Sequence, residues 1–472
     1  MAIVGGGIAG LTLAWLLDHV CDVTLFEKAR VLGGHIETVE VDLAGERHAV
    51  DLGAQLFNRR VHPTFMALLD VLGVADPPRA SAGSLVTREM GTTLADHGAA
   101  LPRFVSPLFR DGRLWPTVAP WNAAGQAAFL SLALAAPKLN QADWRLTLDE
   151  WLRTVRGLTT EGRERIVLPW LSALAGCSIE EARAFSARAG AAIPARAIPA
   201  NPLEPYSWSH VARGLGSVVA LLERSCTHLR VRRGARVVSV RVVEGGLAVR
   251  AEGSPELVVD HVVLAAPPHA TAALVADMPG RADLAAVLGG FRYFQSRLLI
   301  HTDPVYMHPD RRYWSAYNAT TRETYCEGSI WYGAIRDKLP SGATADIFKS
   351  WATNRDKQPR ALVAEKEYRH PLLDPAFFRG QAALERAQGR GNLWFAGSYC
   401  RDVDLQETAL QSALRVADSI AASAPNVMRL RAAATRAAIE RRRARPAIEE
   451  AQAMLTGVLG PLFGRGKRVS ST

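Results

Sequence analysis

The alternation of apolar and polar positions is most telling in the first thirty residues. Ala2-Ile3-Val4 is a short apolar run, Gly5-Gly6-Gly7-Ile8-Ala9-Gly10 breaks it, and Leu11 to Leu17 is apolar almost throughout. That order predicts a buried strand, a tight turn and a helix packed under a sheet. Asp22 to Phe26 reads as a second strand ending at Glu27. Val39–Asp42 and His48–Leu52 alternate as a hairpin around Ala44-Gly45, and Phe65, Leu68, Leu69 and Leu72 recur at helical spacing between Pro63 and Val74. From Ala75 to Pro205 the composition shifts to Ala, Trp, Pro and Leu, with helices expected at 122–136, 147–155, 161–175 and 179–190. Strands follow at 229–231, 236–240, 247–249, 257–259 and 260–264, then at 297–303 and 329–332. A strand near 391–398 and a helix from Gln406, with Leu410, Ala413, Leu414 and Ala417 on one face, close the pattern.

Gly5, Gly7 and Gly10 have the G-x-G-x-x-G spacing of a dinucleotide-binding turn. The first glycine permits the turn, the second the approach of a pyrophosphate, and the third close packing of helix on strand. The helix N-terminus, with Ala9 in its first turn, would receive the phosphates. Glu27 falls roughly 20 residues further on, where a carboxylate meets a ribose hydroxyl; a solvated strand-end charge is the plainer alternative.

Length and charge narrow the class. At 472 residues the chain has room for several domains. No apolar run reaches the roughly 18 residues of a membrane span. The glycine turn starts too close to Met1 for a secretory signal, so a cytoplasmic protein is expected. Five scattered cysteines lack metal spacing, and no metal is expected. The net charge is +10, but residues 429–472 hold ten Lys or Arg against three Glu, leaving +3 for the rest. Nucleic acid is therefore not an expected partner. The basic tail, with Leu430, Ala434, Ala438 and Ile439 opposite its arginines, is either a helix for an anionic membrane surface or one docked on its own body.

Further segments resemble the FAD-dependent superfamily of flavin amine oxidases, protoporphyrinogen oxidases and carotenoid desaturases, and within it a poorly characterised bacterial branch that shares the His301-Thr302-Asp303 to Asn318 pattern. Glu27-Lys28-Ala29-Arg30-Val31-Leu32-Gly33-Gly34-His35 is similar to the second FAD fingerprint, with Arg30 one place early and His35 replacing an arginine. Asp51-Leu52-Gly53-Ala54-Gln55-Leu56 resembles the segment that runs beneath the isoalloxazine ring, and Val237 stands where a backbone touches adenine. Leu393 to Ser398, followed by Gln406 to Leu414, resembles the closing motif, whose helix points its N-terminus at the flavin C2=O.

The resemblance implies noncovalent FAD and an α/β fold of the two-dinucleotide-binding-domain flavoprotein type. It divides the chain into a Rossmann-like FAD-binding domain (1–74, 206–285 and 381–425), a discontinuous α+β substrate domain with a helical cap (75–205 and 286–380) and a tail (426–472). The cofactor-binding residues it implies are Gly5, Gly7, Ala9, Gly10, Glu27, Lys28, Gly34, His35, Gly53, Ala54, Gln55, Leu56, Val237, Gly397, Ser398, Gln406 and Leu410. The implied reaction is hydride transfer from a substrate C–H to flavin, with dioxygen or another acceptor taking the electrons. The strand 294–300 lacks the lysine that many amine oxidases place there, and Leu405 replaces an aromatic residue. With the aromatic cap, these departures favour a lipophilic substrate. A double-bond isomerase, an amine oxidase and a membrane-recruited protein with structural FAD remain alternatives. No catalytic residue is assigned. His301 is read as an ordinary strand residue, and the tryptophans 115, 121, 144, 151 and 170 as packing for the cap core, with cavity lining as the alternative.

Overall fold

A computed structural model describes residues 1–77, 79–106, 119–139, 143–197 and 206–439. The first strand, Ala2–Val4, lies at the centre of a five-stranded sheet whose paired strands are all parallel, in the order Leu229–Arg233, Val23–Glu27, Ala2–Val4, Val262–Leu264, Leu393–Phe395. All five residues of Val23–Glu27 are buried, as expected of a strand covered on both faces. One face packs on the helices Ile8–Leu16, Pro63–Val71, Gly216–Arg224 and Gln406–Ala421 through Leu11, Leu13, Phe65, Leu68, Val218, Leu222, Leu410 and Ala413. The other face buries Val4, Phe26, Leu264 and Phe395 beneath the antiparallel strands from Val237 onward and the helix Pro375–Ala387. This three-layer α/β arrangement is assembled from stretches far apart in sequence.

The second large sheet has seven strands, in the order Leu362–Pro371, Tyr293–His301, Phe348–Trp351, Tyr325–Trp331, Tyr317–Arg322, Thr92–Asp96, Phe104–Val105. The stretch after residue 75 is thus not helical throughout. It sends Thr92–Asp96 and Phe104–Val105 into this sheet, and Gly83–Glu89 pairs with Ser207–Val211.

The remaining helices of that stretch cap the sheet, and Trp151 and Trp170 pack in the shared core. Trp121 and Trp144 are half-buried, and Trp115 lies outside the described residues.

One expected helix is broken. The 179–190 stretch forms Ile179–Ala184 and Ala187–Gly190, with Phe185 extended between them. Tertiary hydrogen bonds pull the chain open there. The Leu148 N–H donates to the Phe185 carbonyl at 2.7 Å, and the Ser186 N–H donates to the Leu373 carbonyl at 2.8 Å. Ser178 opens the first half with a capping box on Glu181.

Residues 425–439 form a helix docked on the body: Val427 and Leu430 are fully buried, Asn426 Nδ2 donates to the Trp15 carbonyl at 2.7 Å, and Arg431 pairs with Asp418 at 2.6 Å. The rest of the basic tail lies outside the described residues. No helix among the described residues is long and apolar enough to cross a membrane.

Candidate active site

The glycine turn is built by backbone contact. The Gly5 N–H donates to the Phe26 carbonyl at 2.8 Å, and its φ of +116° belongs to the region that favours glycine. A Cβ at Gly10 would stand 2.0 Å from the Gly5 carbonyl oxygen, so helix and turn can meet only without a side chain there. Gly7 differs. A Cβ at Gly7 would meet nothing nearer than the Gly34 Cα at 3.9 Å, so no neighbour in the chain requires glycine at that position. Gly7 caps the Ile8–Leu16 helix without a side-chain partner, and no acidic residue occupies the first turn, which includes the buried Ala9. Free N–H groups and a positive helix end therefore suit an anion at this position.

Around this turn the other candidate segments close in. Gly33 bridges to the turn, its N–H donating to the Gly6 carbonyl at 2.9 Å, and a Cβ at Gly34 would stand 3.1 Å from the Gly7 Cα. Glu27 is buried. Its carboxylate accepts from the Gly6 N–H and the Ala29 N–H, both at 2.8 Å. A carboxylate has acceptor capacity beyond these two bonds. Lys28 is exposed. Val237 opens its strand two residues after Ala235, whose N–H donates to the Glu27 carbonyl at 2.9 Å. On the other side, Gly397 N–H donates to Ser412 Oγ at 2.8 Å, and Ser398 donates to Asp404.

His35, Gly53 and the seven-stranded sheet meet at the far end. A Cβ at Gly53 would fall 1.7 Å from the His35 carbonyl oxygen, so the two backbones abut. His35 is exposed, and its ring sits edge-on to Tyr368 and His370, at 5.2 and 5.7 Å between centroids. Desolvation in this setting lowers its pKa, a nearby Asp404 opposing the effect. Burial works against ionisation of Asp404 too, but the His370 ring and the Ser398 hydroxyl outweigh it and hold the carboxyl below its usual range. Ala54 and Leu56 are half-buried. Gln55 is buried, its carboxamide beside the Tyr332 hydroxyl but without a well-formed hydrogen bond.

Two expected contacts are placed differently. Leu410 is fully buried in the core under the Ile8–Leu16 helix, so its side chain supports the closing helix. Half-buried Gln406 begins that helix. Beside it, buried Glu407 accepts from the Thr64 and Phe65 N–H groups at 2.9–3.0 Å and fastens the closing helix to the start of Pro63–Val71.

Sequence reasoning missed residues that arrive from the second sheet. Register places Ser296 opposite Tyr368, and Ile300 opposite Lys349, on one face. The Ser296 and Tyr368 hydroxyls are buried without partners. Lys349 is fully buried, and its ammonium donates to the Gly53 carbonyl. Burial pulls that ammonium below its usual range, while Asp51 nearby opposes the shift. The signal in the sequence was a single lysine inside the apolar run Phe348-Lys349-Ser350-Trp351.

His301 lies on the opposite face, buried, with Nε2 2.9 Å from Ser350 Oγ. Among the described residues, one cluster of ligand-type side chains, Asp18, His19 and His228, has its ligand atoms within 4.8 Å of one another. It lies past the C-terminal end of the Ile8–Leu16 helix, and Asp18 already accepts from the Thr227 and His228 N–H groups at 3.0 and 2.8 Å.

A family profile described as flavin containing amine oxidoreductase matches residues 8–288, which begin within the glycine turn and hold Gly10, Glu27, Gly53 and Val237. The chain belongs to this family. It is accordingly a flavin-dependent oxidoreductase, acting on a small-molecule substrate with dioxygen or another electron acceptor. Among curated proteins, no sequence matches. Solved structures share the fold at low identity. A putrescine oxidase bound to putrescine superposes with a TM-score of 0.59 at 17% identity, over 89% of this chain and 98% of that one. Cyclohexylamine oxidase from Brevibacterium oxydans IH-35A gives 0.58 at 15%, over 89% and 98%. A fatty acid isomerase from P. acnes that produces CLA gives 0.58 at 14%, over 89% and 97%.

Proposed function

We propose that the chain binds FAD noncovalently and oxidises a lipophilic small molecule at a C–H bond. When bound, the flavin would supply a two-electron acceptor for a hydride from the substrate carbon, a proton leaving the neighbouring atom to solvent, and dioxygen or another acceptor would take the electron pair on. In this reading the Gly5–Gly10 turn and Ala9 hold the pyrophosphate, with Gly34, His35, Lys28, Gly397 and Ser398 around it. Glu27 accepts from the ribose and Val237 borders the adenine. Gly53, Ala54, Gln55 and Leu56 pass beneath the ring, the Gln55 carboxamide finding partners there. Gln406 and the end of the closing helix, held up by Leu410, face the ring carbonyl and favour negative charge on it.

The observation that carries the substrate class is the composition of one sheet face. By register, Phe294, Ser296 and Leu298 share it with Tyr368, His370, Lys349 and Trp351. No residue on this face of the strands Leu362–Pro371, Tyr293–His301, Phe348–Trp351 and Tyr325–Trp331 is acidic. The cap packs against it, the Phe185 and Phe294 rings lying 6.4 Å apart. A face whose own residues are aromatic, aliphatic and basic suits a neutral or anionic apolar molecule better than a cationic amine, the neighbouring carboxylates of Asp51, Asp404 and Glu37 already being answered by Lys349, His370 and Lys366.

Anaerobic stopped-flow mixing tests this reading: flavin absorbance should bleach with long-chain acyl or polyene compounds and not with simple amines. Reduction by simple amines alone would overturn the substrate class. Turnover without any acceptor would mark an isomerase. Contact with an anionic membrane belongs to the same proposal through the basic residues 440–472, because the apolar side of 425–439 is spent on docking. Anionic vesicles should retain the full chain and release a 1–439 truncation.

A further inference from the structure

Keeping an ammonium ion out of water costs several kcal/mol unless partners replace the water. Lys349 meets that condition in an unusual way. It sits in a strand beside the fully buried Phe348 and Ser350, and it is 2% exposed. Its hydrogen bond goes to a main-chain acceptor, the Gly53 carbonyl, across 296 residues of sequence. The charge that answers it, Asp51, is itself fixed: its carboxylate accepts from the Leu215 N–H at 3.0 and 3.1 Å and from the Thr38 hydroxyl. Three separate stretches of chain thus converge on one cation.

The segment it grips has no freedom to shift. Gly53 is wedged against the His35 carbonyl, where even a Cβ would fall at 1.7 Å, and the Tyr368 hydroxyl lies 3.4 Å from the same point. Next along the chain comes buried Gln55, and on the sheet face stand the Tyr368 and Ser296 hydroxyls, buried without partners. Unsatisfied buried polar groups are costly, so their placement beside one anchored backbone turn points to a ligand that satisfies them. A lysine serving only to join two domains would need none of this around it.

We propose that Lys349 is a positioning residue for the flavin: it pins the Gly53 carbonyl so that residues 53–56 meet the ring at a fixed distance, and it lends that side of the ring a positive charge. The substrate sheet, through Lys349, then sets both the grip on the cofactor and its reduction potential, since a nearby cation favours the added negative charge of the reduced ring. This inference rests on the FAD reading above.

Full-length wild type, Lys349→Met and Lys349→Arg, each reconstituted with FAD, provide the test. Three quantities are read: FAD affinity by fluorescence, the visible flavin spectrum, and the midpoint potential against reference dyes. K349M should bind FAD at least tenfold more weakly, with an altered spectrum. Its reduction equilibrium should move at least tenfold toward the oxidised form, about 30 mV for a two-electron couple. K349R, which keeps the charge and the donors, should recover most of the potential. If K349M does not fold, the double variant Lys349→Met with Asp51→Asn removes both buried charges and carries the same three measurements. Wild-type affinity, spectrum and potential in the charge-free variant would overturn the proposal, as would a K349R potential no higher than that of K349M. A wild-type chain that takes up no FAD would overturn the functional reading itself, which separates the two failures.

Discussion

The two sides of the candidate site are made of different material. Around the glycine turn the material is main chain: Gly5, Gly10, Gly34 and Gly53 allow backbones to approach where a Cβ would fall between 1.7 and 3.1 Å from its neighbour. On the other side, the seven-stranded sheet offers side chains, with Ser296, Lys349, Tyr368 and His370 projecting from one face. A backbone pocket tolerates little change and serves a constant ligand. A side-chain wall can be re-specified strand by strand, which is how one fold accommodates different substrates.

The sharpest way to break this contrast is Gly10→Ala. Its Cβ would stand 2.0 Å from the Gly5 carbonyl oxygen, which is main chain and cannot swing aside. Flavin content of the purified variant should drop at least tenfold, and its Tm should fall as well. Gly7→Ala separates the two contributions. Nothing in the chain crowds that position, so circular dichroism should show an unchanged Tm while FAD titration shows weakened binding.

Next in size is a dependence of stability on pH. Burial lowers the pKa of His62 to about 4, of His210 to about 3 and of His301 to about 4. In each case the unfolded chain, near 6.5, takes up the proton first. Their contribution is therefore full above about pH 6.5 and shrinks as the pH falls toward 4, at up to about 1.4 kcal/mol per pH unit for each group. Thermal melts should show Tm declining through that window. Replacing His301 with Gln, on the sheet, should flatten its share of the slope and leave that of His62 and His210.

Glu27→Gln should have a smaller effect, confined to the cofactor. One carboxylate oxygen becomes an NH2 group facing the Gly6 or Ala29 N–H. FAD affinity should weaken about tenfold, roughly 1.4 kcal/mol, as measured by isothermal titration. Smallest of all is Arg431→Ala on the docked helix. Its pair with Asp418, 45% and 27% exposed, lies in high dielectric, and urea melts should register no more than about 0.5 kcal/mol.

The same division explains what the amino-acid sequence disclosed. Gly5, Gly7, Gly10 and Glu27 are legible because a tight turn, a close approach and a strand-end carboxylate are demands satisfied within thirty residues. The closing helix is legible because Leu410, Ala413 and Ala417 repeat at helical spacing over a buried face. Lys349 was not legible as part of the site, since the pairing of Ile300 with Lys349 and the bond to Gly53 exist only in the folded sheet. The broken helix at Phe185 has the same origin: local propensity favours continuity, and hydrogen bonds to the 146–148 and 373 backbones overrule it. The strands at 92–96 and 104–105 were hidden in a stretch whose composition is helical overall, and they are short enough to be set by their partners.

All of this converges on one measurement, the stoichiometry of flavin in the full-length protein. Purified chain reconstituted with FAD should show an oxidised flavin spectrum at one FAD per chain, and acid precipitation should release that FAD entirely into the supernatant. A chain that retains no flavin after reconstitution, or whose flavin stays with the precipitate, would contradict the account.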